Sequence, residues 1–158
     1  MKGNSLSDRG RSNAAHFLFG SLTSYAACMY ALLVLRLWLG VTFFAHGSQK
    51  LFGWFGGPGP GGVVDMMPKL GPAFAAMPHF WAVLVIIGEF GGGVLVFFGV
   101  LPRIGAAMIA IDMVVALATV HRAQGFMTTF GQQGIIAICV AIIIAGGGAW
   151  CLIPAKRR

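Results

Sequence analysis

Charge is scarce in this chain. Asp, Glu, Lys and Arg together make up 9% of its 158 residues, against roughly 25% in ordinary globular domains. A soluble fold could not cover its surface with so few, and with 58% of the chain apolar the surface is expected to face lipid. This scarcity changes the meaning of the net charge of +7. In a soluble protein that excess would suggest nucleic acid. Here the cations gather at the two ends, at Lys2, Arg9 and Arg11 and at Lys156, Arg157 and Arg158, as anionic lipid and topology signals predict. No basic stripe interleaved with aromatic residues supports DNA or RNA binding, so the expected partner is the lipid bilayer.

Cysteine is sparse too. Cys28, Cys139 and Cys151 form no CxxC and no metal-ligand spacing, and an odd number scattered through apolar segments reads as buried thiols rather than a disulfide framework. The GGPGPGG run at 56–62 lacks the GxxxxGK[ST] arrangement and reads as a turn or coil, which argues against a nucleotide site. No small-residue cleavage site closely follows a short apolar core near the N-terminus. The first apolar segment is too long and too late for a signal peptide and reads as a membrane span.

What the chain has is long apolar runs. Four approach the 20 or so residues that a spanning helix needs: 25–46, 81–101, 104–121 and 134–153. They are continuous rather than alternating, which excludes a β-barrel, and rich in glycine and alanine, as close packing in lipid favours. The expected fold is an all-α membrane protein, a four-transmembrane-helix bundle over 25–153, between a polar basic tail at 1–24 and a basic tail at 154–158. Loop charges give the topology: seven Lys and Arg fall on the side of the two tails and the Pro102-Arg103 turn, against three in the loops 47–80 and 122–133. The positive-inside rule then puts both termini in the cytoplasm and the loop 47–80 outside. Within that loop PKLGPAFAAMPHF is expected to form a short interfacial helix.

Arg36, Glu89 and Asp112 fall inside the spans, where each costs on the order of 2.5–3.5 kcal/mol on insertion scales. Counted from His46, Trp81 and His121 at about 1.5 Å per residue, they lie roughly 15, 12 and 13 Å below the outer surface. That coincidence predicts an Arg36–Glu89 bond, with Asp112 a second acceptor or protonated. The arrangement reads either as a structural ion pair that fixes helix order or as a proton-active or ligand-binding site in the bundle core.

A second group stands at the expected outer end. His46 and Lys50 are four apart and share a helix face, and His121 ends the third span at the same surface. These three are expected to rim a polar mouth leading down to Arg36 and Glu89. The histidines lie too shallow to bury a heme. His46, His79 and His121 have no paired spacing, so no metal is expected. Trp38, Trp54, Trp81 and Trp150 suit an aromatic belt near the span ends. Phe43, Phe44, Phe52 and Phe55 around the mouth would suit either lipid or a quinone headgroup.

The blocks HGSQKLFGWFGG at 46–57, GEFGGGVLVFFGVLPRIGA at 88–106 and TVHRAQGF at 119–126, with an arginine in the first helix, resemble the DoxX family of small bacterial membrane proteins. The likeness covers roughly residues 30–153. It implies a four-helix bundle in the bacterial inner membrane, with Arg36, His46, Lys50, Glu89, Arg103 and His121 as motif residues. It also implies an association with redox systems: quinol oxidase or thiosulfate:quinone oxidoreductase subunits, and complexes with superoxide dismutase and sulfurtransferase. The chain departs from the common pattern at MTTFGQQG (127–134) and at Asp112, which stands where an apolar residue is usual.

Three functions are open on this reading. The first is a redox-associated subunit, quinone- or thiol-linked, taking electrons from a partner's cofactor because the chain offers no heme, flavin or iron–sulfur motif. The second is a non-catalytic accessory subunit in a larger complex or homo-oligomer, with GEFGGG and AGGGA as interfaces for neighbouring helices. The third is a small carrier using Arg36, Glu89 and Asp112 as a relay, for which four helices are few. Whether the chain is itself an enzyme is left open.

Overall fold

The structure is a computed structural model and describes residues 25–121 and 125–152. The basic tails and Arg122, on which the expected topology rests, lie outside the described residues, so the two ends of the bundle are named here by their connections.

Helix α1 spans Tyr25–Phe52, 28 residues or about 42 Å, longer than the roughly 30 Å hydrocarbon core. It runs six residues past the span expected from hydropathy, because nothing in HGSQKLF breaks a helix. Ser48 donates to the Phe44 carbonyl at 2.6 Å, which satisfies its hydroxyl within the turn. The helix stops at Gly53, whose φ of 71° is left-handed.

The following loop folds as a helical cap. After a 3-10 turn at Trp54–Gly56 come α2 (Gly59–Met66), a 3-10 turn at Met67–Leu70 and α3 (Pro72–Ala76). The expected coil at GGPGPGG is thus partly helical. Pro60 falls in the first turn, where a missing N–H is harmless, and Val63 and Met67 are drawn onto Ala82 of the next helix with Phe74 and Trp81 around them. The short helix expected in PKLGPAFAAMPHF is α3.

Helix α4 (Pro78–Phe98) contains a π-helical segment at Ile87–Gly91. A three-residue turn at Gly99–Leu101 leads to α5 (Pro102–Thr119), forming the expected tight hairpin. A 3-10 turn at Phe126–Thr129 opens α6 (Phe130–Ala145). The fourth helix therefore starts four residues before the expected span and ends eight before its end, at Gly146 with a φ of 93°. The AGGGA segment is not a helical interface but an irregular strap, with positive φ at Gly146, Gly148 and Trp150.

Helices α1, α4 and α5, and α6 together with its 3-10 lead-in from Met127, are each long and apolar enough to cross a membrane, and the chain is a multi-pass membrane protein. Helix α1 packs on α4, α4 on α5 and α5 on α6, and α6 closes back on α1. Leu39, Phe43, Val96, Ala106, Ile109, Cys139 and Ile142 form the core. Glycine brings α1 and α4 close: a Cβ on Gly40 would sit 2.7 Å from the Phe97 Cα, and one on Gly93 would sit 2.6 Å from the Phe44 nitrogen. The GEFGGG run thus serves contacts within the chain. All three cysteines are free, but only Cys139 is buried; Cys28 is exposed and Cys151 half-buried.

Candidate functional site

The predicted Arg36–Glu89 bond does not form. Gly40 meets Phe97 and Gly47 meets Phe90, an antiparallel register that places Glu89 opposite the turn carrying Ser48 and Lys50. Arg36 lies about 21 Å from Lys50 along the same helix. Depth counted from His46 was misleading because α1 does not end there. Lys50, expected only at the mouth, is the residue that reaches Glu89: its Nζ donates to Glu89 Oε1 across 39 residues of sequence.

Glu89 is held in the π-helical segment. One extra residue in a turn shifts the faces of the helix, and such bulges recur at functional sites. Glu89 is 5% exposed, while the Lys50 side chain is 22% exposed, so the pair runs from the surface inward. Asp112 of α5 joins it. Its carboxylate occupies the space left by Gly88, where a Cβ would sit 2.7 Å from Asp112 Cγ, and it feels the charges of Glu89 and Lys50. Lys50 pairs with Glu89, while Glu89 Oε2 and Asp112 Oδ2 are buried without a hydrogen-bond partner. Such orphaned atoms are unfavourable in a low-dielectric interior and mark a place for a proton or a polar ligand.

Aromatic rings gather on α1 and α4 and on the turn after α1. Phe44 and Phe90 have centroids 5.3 Å apart, Phe52 meets Phe90 edge-on at 5.7 Å, and Phe52 stacks on Trp54 at 4.8 Å. From Phe44 a wholly apolar groove of about 190 Å³ follows the seam of α1 and α4, lined by Val41, Val94, Phe97 and Phe98.

The remaining mouth residues find local partners. The exposed His46 places Nδ1 3.2 Å from Gln49 Oε1, and Gln132 Nε2 stands 3.2 Å from His121 Nε2. His79 is exposed. Among the described residues no three His, Cys, Asp or Glu side chains form a group able to hold a metal.

Arg36 belongs to the opposite end, beside the hairpin turn. It is 2% exposed and donates to the Gly147 carbonyl at 3.1 Å, the Trp150 carbonyl at 3.2 Å and Cys151 Sγ at 2.9 Å. Next to it lies a cavity of about 620 Å³ whose lining includes Tyr25, Met29, Arg103, Trp150 and Cys151. The strap was missed because GGGAWCLI reads as continuous apolar sequence. The signal that could have located it is the triple glycine, which stops a helix and exposes carbonyls for a buried arginine to cap.

The model of the DoxX family matches residues 31–122, a stretch that holds Arg36, His46, Lys50, Glu89, Asp112 and His121 but not the strap. A Bacillus subtilis (strain 168) protein named "Putative oxidoreductase CatD" is 34% identical over 95 residues, covering 60% of this chain and 63% of that protein. The chain thus spans less than two thirds of that relative's length. No solved structure matches the chain.

Proposed function

The chain belongs to the DoxX family, and from that premise we propose that it is a redox-associated subunit, quinone- or thiol-linked, of an oxidoreductase system in the bacterial inner membrane. The observation that carries the reading is the Lys50–Glu89–Asp112 cluster at the end of the α1–α4 seam that also carries the rings of Phe44, Phe52, Trp54 and Phe90. A quinone headgroup is a flat ring with two carbonyl acceptors. Aromatic neighbours suit its faces and edges, and the part-exposed Lys50 ammonium suits a carbonyl. The apolar groove running from Phe44 suits an isoprenoid tail.

A bound quinone would supply two-electron, two-proton chemistry. The chain's own part would be to orient the ring through Lys50 and to offer Glu89 and Asp112 as neighbouring proton acceptors. The electrons would come from a cofactor on a partner subunit. The oxidoreductase name of the Bacillus relative supports a redox setting.

Purification in mild detergent followed by quinone analysis of the lipid extract tests this. Quinone should accompany the wild-type chain and be lost from Lys50→Gln at unchanged helix content. Its absence from the wild type, with no redox subunit co-purifying, would leave a non-catalytic accessory role.

A further inference from the structure

Arg36 carries a charge into the bundle and meets no acid among the described residues. Among the described residues Asp65, Glu89 and Asp112 are the only carboxylates, and the one ion pair, Lys50–Glu89, lies at the far end. Arg36 instead bonds two carbonyls and one sulfur, and its Nε has no partner. A guanidinium that is 2% exposed with no counter-charge among the described residues is unfavourable. Of its three acceptors only Cys151 Sγ can take on negative charge.

The backbone is bent to bring that sulfur in. Gly146 and Gly148 adopt φ of 93° and 77°, and Trp150, with a side chain, adopts 54°. A bulky residue in this region is held at a cost of order 1–3 kcal/mol and persists only where its surroundings demand it. Here the Ala149 N–H, which donates to the Met29 carbonyl at 3.0 Å, pins the strap to α1. Cys151 then lines the 620 Å³ cavity, a volume in the range of small-molecule sites. Cys139 is sealed in the core, and neither it nor Cys28 has a cation in hydrogen-bond contact among the described residues. Cys151 also lies beyond the family match at 31–122.

We propose that Cys151 is a nucleophilic thiol, activated by Arg36, that undergoes exchange with small disulfides entering the cavity beside the hairpin turn. As the thiol proton leaves to water, negative charge develops on Sγ, where the guanidinium already donates. The sulfur lone pair forms a bond to the nearer sulfur of the disulfide. The old S–S bond breaks, its electron pair leaves on the second sulfur, and that sulfur is released as a thiol after taking up a proton. Cys151 is thereby oxidised to a mixed disulfide and the incoming disulfide reduced to one free thiol; a second external thiol reverses the step. This deepens the thiol-linked arm of the proposed function and rests on that arm alone, so its failure leaves the quinone test at Lys50 untouched.

The test treats the full chain in mild detergent with 2,2′-dithiodipyridine, follows thiopyridone release, and maps the modified cysteine by peptide mass. The same reaction is run on chain unfolded in SDS. Cys151 is expected to react at least about tenfold faster folded than unfolded, with Cys28 showing no such gain. Arg36→Gln should bring the folded rate of Cys151 down to its unfolded value. A folded rate equal to or below the unfolded one overturns the proposal, and this comparison needs no variant to fold. So does a folded Arg36→Gln protein whose Cys151 rate is unchanged.

Discussion

Lys50 of α1 and Glu89 of α4 close an ion pair across the seam of the bundle, and Glu89 sits in a π-helical turn with a second carboxylate beside it. The arrangement ties helix packing to a polar site. Close approach of α1 and α4 at Gly40, Gly47 and Gly93 sets the register, and the register decides which cation meets Glu89.

Removing one partner of this pair should be worse than removing both. Lys50→Met leaves a buried carboxylate unpaired and is expected to cost about 3–5 kcal/mol, whereas Lys50→Met with Glu89→Gln should recover most of that loss. Thermal or SDS unfolding in detergent measures the difference. Additive losses in the double variant would show that the two side chains do not interact.

The glycines at the seam should tolerate nothing larger. Gly40→Ala places a methyl 2.7 Å from the Phe97 Cα, and helix separation there should cost about 1–3 kcal/mol. Gly131, with open space around it in α6, serves as the contrast. Gly131→Ala should be neutral or stabilising by up to about 1 kcal/mol.

How much of this was legible in the sequence follows from what each signal measures. Continuous apolar runs report burial in lipid, so the four helices, the hairpin at Pro102 and the bundle could be read directly. Hydropathy does not report where a helix ends once it leaves the core. The six extra residues of α1 and the early stop of α6 at Ala145 were therefore invisible to it, and the depth argument that joined Arg36 to Glu89 failed with them. Asp112, expected beside Arg36 and Glu89, lies against Gly88, next to Glu89 in sequence. Lys50 was recognised as a site residue but assigned to the rim, because its role depends on a register that only the facing glycines specify.

Arg36 should anchor the strap. Arg36→Leu removes the donors to the Gly147 and Trp150 carbonyls, and hydrogen exchange across residues 146–152 is expected to rise about tenfold or more while α4 and α5 stay protected. Unchanged exchange in the strap would mean that the glycines and the Ala149–Met29 bond hold it alone.

Asp112 is expected to weigh against stability. With Oδ2 buried and unpartnered, Asp112→Asn should unfold no more readily than the wild type, or less readily by about 1–3 kcal/mol. If the carboxylate serves a ligand, the same variant should lose bound quinone. A strongly destabilised Asp112→Asn protein would assign the residue to structure instead.

The most direct measurement is photo-labelling of the chain in proteoliposomes with an azido-quinone, followed by peptide mapping. Label is expected on the segments around Phe44–Trp54 and Phe90, competed away by unmodified quinone and lost in Lys50→Gln. Label that fails to compete, or that maps to the hairpin end around Arg103 and Trp150, would contradict a quinone-linked role for the Lys50–Glu89 site.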